Sequence, residues 1–204
     1  RLDIDPNSFT QKFAEHLASV ESNRRKDLIE YTTRYVLETT FEQLDIELPD
    51  TSVLDAALAA YYAYSETLWK PVPHMHTVLS ELQEKGRPMA LISNAGDDAN
   101  VQRQIDEHRL RNYFDPIIVS AAVGIRKPHP LIFQPVFAQW SIDAKDIVMI
   151  GDTLDADVLG ATHTGMSSIW LRTQSEDPNP RVLTDQLQPN AAVDTIKNVP
   201  DVLY

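Results

Sequence analysis

Beyond Pro73 the chain repeats one pattern: three or four apolar residues, an abrupt polar turn, then a helical stretch. The apolar runs are Met89-Ala-Leu-Ile92, Ile117-Ile-Val119, Ile147-Val-Met-Ile150 and Ser168-Ile-Trp-Leu171. Runs this short and this apolar are strands buried on both faces rather than helices. Between them lie helical patterns over residues 74–85, around Val101 and Ile105, around Ile132, Phe133, Val136 and Phe137, and over 156–164. Gly86 and Gly165 stand where a helix end wants a left-handed residue. Pro135 fits its helix only within the first turn. Short strands alternating with helices predict an α/β fold with a parallel sheet covered on both faces. In such sheets chemistry collects beyond the carboxyl ends of the strands. Three turns therefore matter: 93–96, 120–127 and 152–157.

The region before Pro71-Val-Pro73 follows a different pattern. It contains no glycine and no clear strand. Apolar and aromatic residues recur at helical spacing over 8–20 (Phe9, Phe13, Leu17), over 23–44 (Leu28, Tyr31, Tyr35) and over 51–69 (Leu54, Leu58, Tyr61, Leu68). Pro49-Asp50-Thr51 separates the last two, and Asp50 or Thr51 is the expected cap. The aromatic stripe reads as the core of a helical bundle rather than a cofactor-binding strip. Two parts follow, helical over 1–70 and α/β over 71–204. The Pro- and Asp-rich tail over 176–204 is expected to wrap the surface.

Charge narrows the partners. Lys and Arg number 18 against 30 Asp and Glu, for a net charge of −12, divided equally at residue 72. Such a chain has no large basic surface for nucleic acid or an anionic membrane. A small anionic substrate remains compatible, because a site can be locally positive. The absence of cysteine removes disulfides and thiolate metal sites. No apolar run approaches the ~20 residues of a membrane span, and no signal peptide is evident, so the expectation is a cytoplasmic protein.

Each turn carries a chemical reading and a plainer one. In Leu-Ile-Ser93-Asn94-Ala-Gly, a hydroxyl and an amide at a strand end suit a phosphate-like oxygen. They also suit an ordinary helix cap. In Gly-Ile-Arg126-Lys127-Pro-His129-Pro, prolines stiffen a segment that presents Lys127 as a fixed cation. The alternative is a solvated lysine, and Arg126 and His129 read as loop or surface residues. In Gly151-Asp152-Thr-Leu-Asp155-Ala-Asp157, a carboxylate follows directly on an apolar strand. Burying it beside others is costly unless a cation is shared, and hard carboxylate ligands favour magnesium. Asp155 reads as solvated, and Asp157 has the alternative of capping the next helix.

Taken in order, these turns resemble the haloacid dehalogenase superfamily of hydrolases. Ser93 and Asn94 match its second motif, Lys127 before proline its third, and Gly151, Asp152 and Asp157 its fourth. The following Gly-Ala-Thr-His-Thr-Gly-Met also fits. The resemblance implies a Rossmann-like core over 71–204 and an inserted all-helical cap over 1–70. It implies that Ser93 and Asn94 bind phosphate, that Lys127 neutralises charge and holds the nucleophile, and that Asp152 binds magnesium with support from Asp157. The reaction implied is attack by an aspartate on a phosphate monoester, followed by hydrolysis of the aspartyl-phosphate.

The family's first motif, a strand leading into Asp-x-Asp, has no counterpart with a strand before it. Asp3 and Asp5 have the spacing, but only Arg1 and Leu2 precede them, Asn7 stands where Thr or Val is usual, and a helix follows. The expectation is therefore a magnesium-dependent phosphatase acting on a small phosphorylated metabolite. Its first strand and nucleophile would lie in ~10–20 residues upstream of Arg1. Dehalogenation of a 2-haloacid is an alternative, which Asp152 disfavours because the dehalogenases generally lack that acid. Phosphonate cleavage would need a cap lysine such as Lys12, Lys26 or Lys70, and no pattern selects one. A catalytically inactive binding or regulatory relative is the third reading.

Overall fold

The computed structural model describes residues 5–172 and 187–203. Asp3 and most of the stretch before Asn190 in the acidic tail lie outside them. In chain order the elements are α1 (Pro6–Asp27), α2 (Thr33–Gln43), α3 (Thr51–Leu68), α4 (Met75–Glu84), β1 (Leu91–Ser93), α5 (Asp98–Glu107), β2 (Ile117–Val119), α6 (Ser120–Val123), α7 (Gln134–Trp140), β3 (Val148–Gly151), α8 (Leu159–Thr164), β4 (Ser167–Leu171), β5 (Ala191–Val193) and α9 (Val199–Val202). The chain forms two compact units. One comprises Arg1–Lys70, Ser93–Glu107 and Val119–Arg126, and the other Pro71–Ile92, His108–Ile118 and Lys127–Tyr204. Among the described residues no helix is long and apolar enough to cross a membrane.

In the first unit, α1, α2 and α3 bury Leu37, Phe41, Leu54 and Leu58, with Phe9, Phe13 and Ile46 packed around them. The stripe predicted on α3 is core only in its first two turns. Leu54 and Leu58 are 3% and 6% exposed, whereas Tyr61 and Leu68 are 48% and 61% exposed. The helix expected over 23–44 is in fact broken. The α1 helix ends at Leu28, which takes a left-handed φ of 60°. Ile29 then pairs with Ile125 in an antiparallel bridge. Glu30 N–H donates to Gly124 O at 2.9 Å, and Arg126 N–H donates to Leu28 O at 3.0 Å. These bonds satisfy backbone groups that a continuous helix would have used internally. The α2 helix restarts behind Thr32, whose Oγ1 accepts from Tyr35 N–H at 3.0 Å.

In the second unit, β3, β4 and β5 form a parallel sheet, with Ile150 opposite Ile169 and Leu171 opposite Val193. Its core gathers Ile169, Val193 and Val199, with Val148, Ile150 and Leu171 against them. The β1 and β2 strands pair in a separate sheet. Parallel strands alternating with helices bear out the α/β reading. Within the described part of the tail, 187–203, β5 and the buried Val199 and Pro200 belong to the fold itself. Three residues flanked by Asn190 and Asp194 carry too little periodicity to mark that strand. Pro135 falls at the second position of α7, where its missing N–H costs nothing.

Candidate active site

The strongest local constraint lies in the second unit, at the end of β3. The chain turns there through a π-helical segment, Leu154–Val158. That wide turn brings Asp157 back over the strand. Asp157 is 4% exposed. Its Oδ2 accepts from Thr153 N–H at 3.0 Å. Its Oδ1 lies 2.8 Å from Lys127 Nζ. Lys127 Nζ also donates to Ile92 O at 2.7 Å. One partly buried ammonium thus ties the end of β1 to the turn after β3. Ser93, the phosphate-binding candidate, is the next residue after Ile92 in the chain.

The segment that delivers Lys127 is held on its far side. His129 Nδ1 accepts from Leu131 N–H at 3.2 Å, capping the short helical turn Pro130–Phe133. Ile132 and Phe133 anchor that turn in the core, each 1% exposed. Gly160 lets α8 approach: a Cβ there would come within 2.7 Å of Phe133 Cζ and 3.5 Å of Pro128 Cα. His129 is therefore a cap rather than a loose loop residue. Arg126 is not a surface residue either. Its guanidinium is 18% exposed, with Nε 3.7 Å from Glu30 Oε2.

The expected buried carboxylate at the strand end is Asp157 instead of Asp152. Asp152 is exposed, and its Oδ1 accepts from Thr153 Oγ1 at 3.3 Å. Its carbonyl accepts from Trp170 Nε1 at 3.1 Å, which fixes its backbone against β4. A shared cation does compensate the buried acid, as charge burial demands, and that cation is Lys127. Asp155 is half-buried. Among the described residues no group of three His, Cys, Asp or Glu side chains is placed to hold a metal. Magnesium is usually bound by one or two carboxylates together with water and substrate oxygens. Asp152, exposed and at the strand end, fits such a ligand. Asp157 fits a supporting place, because its Oδ2 already accepts from Thr153 N–H and its Oδ1 lies against the Lys127 ammonium.

In the first unit, Ser93 and Asn94 are both half-buried. The cap of α5 belongs to Asp97, whose Oδ1 accepts from Asn100 N–H at 2.6 Å. The plainer capping reading of Ser93 and Asn94 therefore does not apply. Ala95 N–H donates to Ser120 Oγ at 2.9 Å, and Thr33 N–H donates to Gly96 O at 2.8 Å. Gly96 has no room for a side chain: a Cβ would lie 2.7 Å from Thr33 Oγ1 and 3.2 Å from Arg24 Nη2.

Behind this turn is a cluster that motif reading missed. Glu30, its side chain 1% exposed, lies with Oε1 3.0 Å from Arg24 Nε. Ser120 Oγ donates to Glu30 Oε2 at 2.7 Å. Burial pushes the Glu30 carboxyl above its usual value, against the pull of Ser120, Arg126 and Arg24. In the sequence, a glutamate among Arg24, Arg25, Lys26 and Asp27 reads as solvated. Asp5, half of the only Asp-x-Asp pair near the start, caps α1: its Oδ2 accepts from Ser8 N–H at 3.0 Å.

Residues 4–171 match the family model of haloacid dehalogenase-like hydrolases. The chain is 29% identical over 119 residues to a glyceraldehyde 3-phosphate phosphatase of Pyrococcus abyssi, covering 58% of this chain and 50% of that one. It is 30% identical over 108 residues to the pyrimidine 5′-nucleotidase YjjG of Escherichia coli, covering 52% of this chain and 47% of the relative. The chain thus spans about half the length of these two relatives. Among solved structures, a phosphatase of the family from Thermococcus onnurineus superposes with a TM-score of 0.61 at 22% identity, over 81% of this chain and 69% of that one. With the match running over most of its length, the chain belongs to the haloacid dehalogenase-like hydrolase family.

Proposed function

We propose that the protein is a magnesium-dependent phosphatase of small phosphorylated metabolites. The observation that carries this reading is Lys127, a partly buried ammonium fixed by Asp157 Oδ1 at 2.8 Å and Ile92 O at 2.7 Å. A cation so held at a strand end suits phosphoryl transfer, which depends on positioning and charge neutralisation. The phosphatase and nucleotidase names of the relatives support a phosphate ester as substrate. In this reading Ser93 and Asn94 bind the phosphoryl oxygens, and Lys127 neutralises their charge. Asp152 holds the magnesium ion, and Asp157 holds Lys127 in place and supports the metal. The ion would supply Lewis-acid charge neutralisation on the phosphate.

The reaction has two displacements at phosphorus. An aspartate carboxylate bonds to phosphorus as the ester P–O bond breaks, and the alcohol leaves with a proton from a general acid. Water then displaces the carboxylate and gives inorganic phosphate. Asp5 is engaged in the cap of α1, so it is not the attacking group in this scheme.

The test is hydrolysis of p-nitrophenyl phosphate by the protein that carries this chain, with magnesium and with chelator. Activity should require the metal. Asp152→Ala should lose at least ~100-fold in kcat while its unfolding free energy stays within ~0.5 kcal/mol of wild type. Chelator-insensitive turnover, or an active Asp152→Ala protein, would refute the assignment.

A further inference from the structure

The cluster behind the 93–96 turn has no role in the chemistry above, yet that turn meets the helical segment directly at Thr33 and Arg24 and, through Ser120, at Glu30. Ser120 Oγ takes the Ala95 N–H at 2.9 Å. Thr33 N–H donates to the Gly96 carbonyl at 2.8 Å. The Cα of Gly96 lies flush against Thr33 and Arg24. Ser120 is fully buried, at 0% exposure. Its hydroxyl has one proton and two lone pairs. Glu30 Oε2, at 2.7 Å, is closer to it than Ala95 O, at 3.2 Å. An ionised carboxylate cannot donate, so with Glu30 ionised the proton between these two atoms comes from Ser120. With its proton directed at Glu30, the hydroxyl keeps a lone pair for Ala95 N–H. Arg24 and Arg126 face the same carboxylate and hold it where it accepts that proton.

We propose that Glu30 is a positioning residue for the phosphate-binding turn: by accepting the Ser120 hydroxyl proton it orients Ser120 Oγ to hold the Ala95 amide, and so sets Ser93 and Asn94. This rests on the phosphatase reading for the identity of the anion, whereas the link from Glu30 to Ala95 does not. The segment that carries Glu30 also carries Thr33, so the helical region fixes the anion-binding turn through residues 24–33. No contact of Glu30 with substrate is involved.

The experiment is amide NMR on the whole protein with inorganic phosphate as the probe. Two quantities are read: hydrogen exchange at Ala95 relative to the core amide of Val36, and the phosphate affinity at Ser93 and Asn94. Ser120→Ala and Glu30→Ala should each speed Ala95 exchange about fivefold or more and weaken phosphate binding by a similar factor. Glu30→Gln retains an acceptor oxygen and should recover most of both. Leu58→Ala, which loosens the helical core elsewhere in the same unit, should change neither ratio. If Glu30→Ala fails to fold, Ser120→Ala still decides. Unchanged Ala95 exchange in Ser120→Ala overturns the link. Faster exchange with unchanged phosphate affinity overturns the positioning role. A wild-type protein that shows no phosphate response overturns the phosphatase reading instead, and Ala95 exchange then still reports on the link.

Discussion

Asp157 rests its carboxyl group directly on the Cα of Gly151, at the point where β3 ends. A Cβ on Gly151 would stand 2.7 Å from Asp157 Cβ and closer still to the carboxyl atoms. Glycine is therefore required here by close approach rather than by backbone angle. Gly151→Ala should destabilise the protein by about 1–3 kcal/mol, the usual range for overpacking a filled site. Urea unfolding measures it. Adding Asp157→Gly to Gly151→Ala should cost less than the sum of the two single changes, because the side chain that the new Cβ would strike is then gone.

The Lys127–Asp157 pair sets a second expectation. The two side chains are 11% and 5% exposed. Removing one partner leaves a buried charge uncompensated. Lys127→Met should therefore cost about 3–5 kcal/mol, well above an ordinary surface ion pair. Lys127→Met with Asp157→Asn should recover most of that loss. Asparagine is neutral and keeps an oxygen for Thr153 N–H, which Asp157 Oδ2 accepts at 3.0 Å. Chemical denaturation of the two single variants and the double variant gives the coupling directly.

The strand ends were legible because apolar runs stop abruptly at Ser93, Ser120 and Gly151, and abrupt stops define turns whatever the tertiary context. The burial of particular acids was not legible in the same way. Asp152 follows the strand and was expected inside, yet the π-helical turn lifts Asp157 over Gly151 instead. A local spacing rule for α-helices cannot anticipate that insertion. The break at Leu28–Thr32 was hidden because its residues suit a helix. The bridge from Ile29 to Ile125, distant in sequence, decides it. Glu30 was hidden for the same reason. Its partner Ser120 belongs to another part of the chain.

Asp5 separates a structural role from a catalytic one. Its carboxylate accepts from Ser8 N–H at 3.0 Å and from Asn7 N–H at 3.4 Å. Asp5→Ala should lower stability by about 1 kcal/mol, as loss of a helix cap does, and Asp5→Ser should restore most of it. Hydrolysis of p-nitrophenyl phosphate per folded molecule should be the same in both variants. A loss of turnover that Asp5→Ser fails to restore would give Asp5 a part in the reaction.

The Glu30 cluster has a pH dependence whose sign can be fixed in advance. Burial raises the Glu30 carboxyl above its usual 4.5 in the folded protein, and hydrogen bonding by Ser120 with the charges of Arg126 and Arg24 offsets only part of that. Between the unfolded and the raised folded value, the folded state holds more protons than the unfolded one. Stability contributed by this group must then fall as pH rises through that window. Glu30→Gln cannot titrate and supplies the reference. The difference in unfolding free energy, wild type minus Glu30→Gln, should decrease as pH rises above 4.5 and level off once Glu30 is ionised in both states. Urea midpoints at a series of pH values measure it. A difference that grows with pH would mean that Arg24 and Arg126 outweigh burial, with the carboxyl held below 4.5.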